Sequence, residues 1–328
     1  MTGPYPVQEC APDEILERAL TRFRGLDRAA MDALPEPSPL LDGVLPAEGL
    51  ALLAGERALG KTLLALSWAG AVATGQDNAG TVPVRVHGPV VYIALEGFHG
   101  IPKRLRAWEH HNGARANDIT WVRDAPKLRD HWDAVLLGRF AAHHGAVLTI
   151  VDSVRAAGAG KEDTEDMGAF VQGLETVRQF AGGLVLVLHN TGWDPSRERG
   201  STLLPDACDT TLILEGDPSG VRTLKHRKHR DGEMLEHPLA YAFHKIDGTG
   251  SGVLVPTDAG RTQTTRDQLL AVIATRPGLR SGQYAEAVDR DRANVSRDLK
   301  GLAALGLIRN EGTPARPVWV IPAEEPLT

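Results

Sequence analysis

Between residues 50 and 190, five continuous apolar runs of strand length alternate with four stretches of helical pattern. The runs are 50–54 (LALLA), 90–95 (VVYIAL), 119–122 (ITWV), 147–151 (VLTIV) and 184–188 (LVLVL), and the helical stretches fall at 61–74, 100–112, 130–144 and 164–180. A strand with one wet face alternates apolar and polar residues, whereas a strand apolar along its length is covered on both faces. Intervening helices supply that cover and carry the chain back so that the strands run parallel. The expected fold class is α/β with a mostly parallel sheet. Three further runs, 210–214 (TTLIL), 220–226 (GVRTLKH) and 240–246 (AYAFHKI), have no helix between them and predict an antiparallel extension.

The flanks differ from this core. Residues 13–33 read as one amphipathic helix, with Ile15, Leu16, Ala19, Leu20, Phe23 and Leu26 at helical spacing, ended by the proline cluster LPEPSP. Its apolar face has two destinations, its own core or a neighbouring subunit. A stretch rich in Gly, Ser and Thr predicts a linker, and beyond it helices near 265–275, 281–288 and 291–304 precede two short apolar segments, LGLIRN and PVWVIP. Three helices and a hairpin make a winged helix-turn-helix pattern. The expected organisation is a helix and linker at 1–39, a nucleotide-binding domain at 40–248, a linker at 249–264 and the winged helix at 265–328.

Charge separates along the same boundaries. The whole chain carries −6, yet residues 261–322 hold ten Lys/Arg against six Asp/Glu, a local +4. That segregation argues against nucleic acid coating the whole surface and points to DNA contact at the C-terminal end. Two cysteines, Cys10 and Cys208, cannot build a disulfide framework or a zinc site, which fits a reducing cytoplasm. No apolar run approaches the ~18 residues of a membrane span, and the first residues lack a signal-peptide pattern, so no membrane partner is expected.

The chemistry begins at GERALGKT, Gly55-Glu56-Arg57-Ala58-Leu59-Gly60-Lys61-Thr62, which fits G-x-x-x-x-G-K-[ST]. A buried strand precedes it and a helix opens after it, the geometry that points backbone N–H groups and the helix dipole at phosphate. Lys61 would then neutralise β/γ charge of ATP and the Thr62 hydroxyl would hold Mg²⁺. Ala58 and Leu59 stand where glycine would move more freely, so the loop is expected to be stiff or to bind nucleotide weakly.

Three strand ends add candidates. Asp152 closes an apolar strand in a Walker B pattern as a second metal group, although an Asp there also serves as a turn cap. Glu96 follows VVYIAL and would orient the attacking water, its alternative being a solvated acid before Gly97. His189 ends LVLVLH at the same crevice as a γ-phosphate sensor, against a purely structural histidine.

In order, these motifs resemble RecA-like ATPases of the RepA type, ring-forming helicases of plasmids, phages and mobile elements related to the DnaB-type core. The resemblance rests on GERALGKT, PVRVHGPVVYIALEG, GIPKRLRAWEHHNG, VLTIVDSV, EDTEDMGAFVQGLE and LVLHNTG…RGST…ACDTTLIL, and spans about 40–246. It implies a RecA fold, ATP sites between subunits of a homo-oligomer, a hexamer, and single-stranded DNA in a central channel. It also implies Glu96 as the catalytic carboxylate and His189 as the coupling residue. KHRDG resembles a turn that inserts a basic finger into the neighbour's site, implying Arg230 and, secondarily, Lys228; a plain basic hairpin face of Arg222, Lys225, Arg227, Lys228 and Arg230 is the alternative. Two departures stand out: Asn190 where the family often has a second His, and Pro205–Asp206 where it has a small, Gly-rich stretch that should touch DNA.

Arg197 and Arg199 are the expected channel contacts. Arg292, Asn294, Arg297 and Lys300 on the third C-terminal helix, with Arg316 in the wing, are the expected duplex contacts, though winged helices also dock proteins. The expectation is an ATP-driven replication motor that meets a primase or initiator protein. An ATP-switched DNA-binding regulator and a recombination mediator are the competing readings.

Overall fold

The computed structural model describes residues 12–23, 25–34, 38–158, 164–190, 203–258, 265–288, 290–304, 307–313 and 317–322. The chain divides into two units, one ending at Ser38 and one beginning at Pro39. In the first, the single expected helix is two: α1 (Pro12–Arg22) and α2 (Arg28–Asp32). The break has a local cause. Asp27 takes an extended backbone and its side chain accepts from Ala30 N at 2.8 Å, an N-cap that starts a new helix. Leu16, Leu20 and Phe23 are exposed.

The second unit opens with a small hairpin, β1 (Pro39–Leu41) and β2 (Leu45–Pro46), and then enters the main sheet at β3 (Gly49–Gly55). Next come α3 (Lys61–Thr74), a short pair β4 (Asn78–Ala79) and β5 (Val82–Pro83), β6 (Val90–Ala94), α4 (Ile101–Asn112), β7 (Ile119–Val122), α5 (His131–His143), β8 (Leu148–Asp152), α6 (Thr164–Ala181), β9 (Leu184–Asn190) and α7 (Leu203–Ala207). Four consecutive strands follow, β10 (Thr210–Gly216), β11 (Val221–His229), β12 (Leu239–Ile246) and β13 (Ser251–Pro256).

The nine strands run in the order β13-β12-β11-β10-β3-β9-β8-β6-β7. From β10 to β7 all neighbours are parallel, and from β10 to β13 all are antiparallel. The α/β class is as expected, and the architecture is consistent with a RecA-like P-loop core. Burial on both faces is visible as two core clusters split by strand parity. Leu184, Leu186 and Leu188 of β9 face the cluster containing α3 and α4, and Val185 and Val187 face the one containing α5 and α6.

The expected linker at 249–264 is corrected in its first half. Ser251–Pro256 pairs with β12 as the ninth strand, with Val253 and Leu254 buried. Leu254 packs against Gly60 of the nucleotide loop. Its short apolar run lies between glycines, threonines and prolines, and so composition concealed it.

At the C-terminal end, α8 (Thr265–Thr275), α9 (Ser281–Ala287) and α10 (Arg292–Ala304) surround a core of their own that includes Leu269, Ile273, Tyr284, Val295 and Leu299. A short antiparallel pair, β14 (Arg309–Asn310) and β15 (Trp319–Val320), completes it. The elements fall where the sequence predicts three helices and a hairpin.

Candidate nucleotide site

Because β3, β9, β8 and β6 are parallel, their carboxyl ends gather at one edge of the sheet. Tyr92 of β6 and Asp152 of β8 are even positions, which the alternation sets on the α3 face. Thr62 Oγ1 donates to Asp152 Oδ2 at 2.7 Å, and the buried Tyr92 hydroxyl donates to the same oxygen at 3.0 Å. Tyr92 itself packs against Trp121, with ring centroids 5.0 Å apart and the ring planes tilted by 31°. Burial pushes the Asp152 carboxyl above its usual range, and the two hydrogen bonds pull against that shift.

The loop between β3 and α3 is shaped by its backbone. A Cβ on Gly55 would lie 2.3 Å from the Leu214 carbonyl oxygen, so only glycine lets the loop leave β3 this close to β10. Gly60 has φ +100° and Ala58 has φ +65°, so an L-residue occupies the left-handed region in mid-loop. Lys61 Nζ donates to Gly55 O and Glu56 O, each at 2.8 Å, folding its ammonium back under the loop. Burial pushes its pKa down to about 8, against the attraction of Asp152 and Glu96. Glu96 lies just beyond β6 and accepts from Ser153 Oγ at 2.5 Å. It acts electrostatically on both Lys61 and Asp152, so the three groups share one site.

The cleft has a volume of about 680 Å³ and is lined by the loop, Glu96, Asp152, Arg104, Arg155 and Asn190. Four basic residues, Arg57, Lys61, Arg104 and Arg155, face two acids, a balance suited to a polyanion carrying a divalent cation. Among the described residues no cluster of three or more His, Cys, Asp or Glu could hold a metal alone. Hard oxygen donors on Thr62 and Asp152 instead fit Mg²⁺ shared with phosphates and water. When bound, Mg²⁺ would neutralise charge developing on the phosphates.

His189 is not among the residues lining the cleft. It is an odd position of β9 opposite Ala54, and alternation sends Asn190, which lines the cleft, to the α3 side instead. Arg104 and Arg155 also line the cleft, and no sequence motif marks either. Both follow a candidate acid at short range, but nothing in KRLR says which of Lys103, Arg104 and Arg106 turns inward.

The other basic candidates lie elsewhere. Arg230 donates through Nη1 to Asp209 Oδ1 at 2.7 Å, and Asp209 Oδ2 accepts from Leu50 N at 3.0 Å. Leu50 is the second residue of β3 and the loop leaves its other end, so Arg230 is about 17 Å from its own nucleotide loop along the strand. The Lys228 ammonium donates to Asp206 O at 2.7 Å and Cys208 O at 2.6 Å, capping α7. Burial pushes the Cys208 thiol up to about 12. On β11 the basic face divides by parity, Arg222 buried with Leu224 and His226, and Lys225 and Arg227 exposed. On α10, Arg292, Asn294, Arg297 and Lys300 are exposed, with Arg297 Nη1 donating to Asn294 Oδ1 at 3.3 Å. Arg197, Arg199 and Arg316 lie outside the described residues.

A family profile described as AAA domain matches residues 17–196, which is 180 of the 328 residues. A second, described as HVO_A0114, matches residues 262–324. No curated protein matches the chain. No described helix is long and apolar enough to cross a membrane.

Proposed function

Since the chain belongs to the AAA-domain family of P-loop ATPases, we propose that it is an ATP-driven DNA motor of the RepA type, assembled as a ring with its nucleotide sites between subunits. The observation that carries the reading is Glu96, a carboxylate that shares the cleft with Lys61 and Asp152 and is held there by Ser153. Lys61 takes phosphate charge, Thr62 and Asp152 hold Mg²⁺, and Glu96 orients the attacking water and accepts its proton. Arg230 belongs to the neighbour's site, because its own loop is at the other end of β3. The +4 C-terminal segment, with the exposed row on α10, holds duplex DNA as a winged helix.

One observation favours the second reading, an ATP-switched regulator. Pro205 and Asp206 sit in α7, a helical turn fastened by Lys228, where a translocating enzyme needs a free DNA loop.

ATP hydrolysis measured with and without single-stranded DNA, across protein concentrations, separates the two. The motor reading expects a rate that climbs with DNA, rises more than linearly with protein, and falls about 10²–10⁴-fold in Glu96→Gln. A slow rate indifferent to DNA sinks the motor and leaves the regulator.

A further inference from the structure

Arg222 is 4% exposed, yet its guanidinium has no carboxylate bonded to it among the described contacts. All its hydrogen bonds go to backbone carbonyls. Nε donates to Leu59 O at 3.1 Å, Nη1 to Gly220 O at 2.9 Å, and Nη2 to Pro218 O. It therefore joins the nucleotide loop to the turn between β10 and β11, two segments 163 residues apart in the contact to Leu59.

The Leu59 carbonyl matters because of what lies across the same peptide. In a trans peptide the C=O and the following N–H point in opposite directions. Arg222 is not among the residues lining the cleft, whereas Gly60 is. Drawing Leu59 O toward Arg222, behind the loop, turns the Gly60 N–H the other way, toward the cleft where phosphate would lie. The neighbouring backbone has little preference of its own for this shape. Ala58 is held at φ +65°, and Gly60, at φ +100°, can rotate at small cost. Without an anchor the Leu59–Gly60 peptide is free to flip and withdraw that donor.

We infer that Arg222 is a positioning residue of the nucleotide site: from behind the loop it fixes the Leu59–Gly60 peptide so that the Gly60 N–H faces the phosphates of the bound nucleotide. The inference rests on the ATP-site reading above. Arg222 touches neither the attacking water nor the metal carboxylate, so its loss acts on phosphate binding and leaves the chemical step.

The test compares steady-state ATP hydrolysis, and binding of a fluorescent ATP analogue, in wild type, Arg222→Met, Arg222→Lys and Lys61→Ala, each with a thermal melt. The expected result for Arg222→Met is a KM and a Kd raised about tenfold, the loss of one charge-assisted hydrogen bond, with kcat within about twofold. Arg222→Lys keeps the charge and one donor and is expected to recover most of the affinity, leaving KM about threefold raised. KM and Kd unchanged in both variants overturn the assignment, as does a fall in kcat that follows the fraction unfolded with KM unmoved. If Arg222→Met does not fold, Arg222→Lys decides alone, and a wild-type KM in it is the overturning result. Lys61→Ala separates this inference from its premise. If it binds nucleotide as tightly as wild type, the ATP-site reading falls and this one with it. If it loses nucleotide while both Arg222 variants match wild type, only Arg222 is wrongly assigned.

Discussion

The two edges of the same sheet treat charge in opposite ways. At the carboxyl edge, Lys61, Glu96, Asp152, Arg104 and Arg155 converge on one cleft. At the amino edge of β10 and β3, Lys228 and Arg230 are turned onto their own chain. Lys228 caps α7, and Arg230 pairs with the Asp209 that also accepts from Leu50 N near the start of β3. A cleft in which four cations face two acids is an address for an anionic ligand. A charge already paired is one only if something displaces its partner, and Arg230, half exposed, has that option while Lys228 has less of it.

The largest expected effect tests whether the amino edge has a function beyond its own pairing. If Arg230 completes the neighbour's site, Arg230→Ala lowers ATP hydrolysis by about 10³–10⁵-fold while nucleotide affinity changes little. Mixing Arg230→Ala subunits with Lys61→Ala subunits then restores activity at mixed interfaces, because one subunit supplies the loop and the other the arginine. An unchanged rate in Arg230→Ala would reduce the Asp209 pair to an exposed ion pair worth about 0–1 kcal/mol, and the two edges would differ in kind.

A smaller effect separates the edges by pH. Burial holds Lys61 at about 8, below its ordinary 10.5. With the folded value depressed, this group's contribution to stability is fully present above 10.5 and is lost as the pH falls through about 8, where the buried ammonium gains its proton. Phosphate binding has the opposite sign, since it requires that proton. Nucleotide affinity is therefore expected to hold near pH 7 and to weaken above about 8, approaching tenfold per pH unit. A titration of Kd by fluorescence between pH 7 and 9.5 measures it. Arginine does not titrate in that window, so Arg230→Ala should keep the same profile, and a flat profile in wild type would mean that Lys61 does not meet the phosphates.

What could be read from the sequence divides along the same line. The P-loop, Asp152 and Glu96 are local in the chain: each is the residue at the end of a strand already marked by continuous apolar character, and parallel pairing brings strand ends together without further information. His189 and Asn190 stand side by side at the end of β9, and of the two Asn190 lines the cleft. The apolar run locates the end of β9, but which of two adjacent polar residues enters the cleft depends on strand parity, fixed by the whole sheet rather than by LVLHN. Arg222 was hidden for a related reason. In the sequence Arg222 is only the first of five basic residues within nine positions, and the pairing of β10 with β11 buries it beneath a loop 163 residues earlier. The strand Ser251–Pro256 is set by its neighbour β12 in the same way.

The smallest effect concerns the loop itself. Ala58 at φ +65° bears the left-handed penalty of about 1–2 kcal/mol for a residue with a Cβ. Replacing it by glycine removes that penalty but adds about 0.4–1 kcal/mol of unfolded-chain entropy. Ala58→Gly is therefore expected to stabilise the nucleotide-free protein by about 0.5 kcal/mol, read as a raised urea midpoint at unchanged slope. Gly60→Ala makes the contrast, since it adds a Cβ at φ +100° and 3.1 Å from Leu254 and should destabilise. If Ala58→Gly instead lowers stability, the left-handed turn is not a strain that the loop bears, and Arg222 and Lys61 hold its shape more firmly than the backbone resists it. The nucleotide edge would then be preorganised by its own chain much as the amino edge is, and the contrast between them would rest on the cleft charges alone.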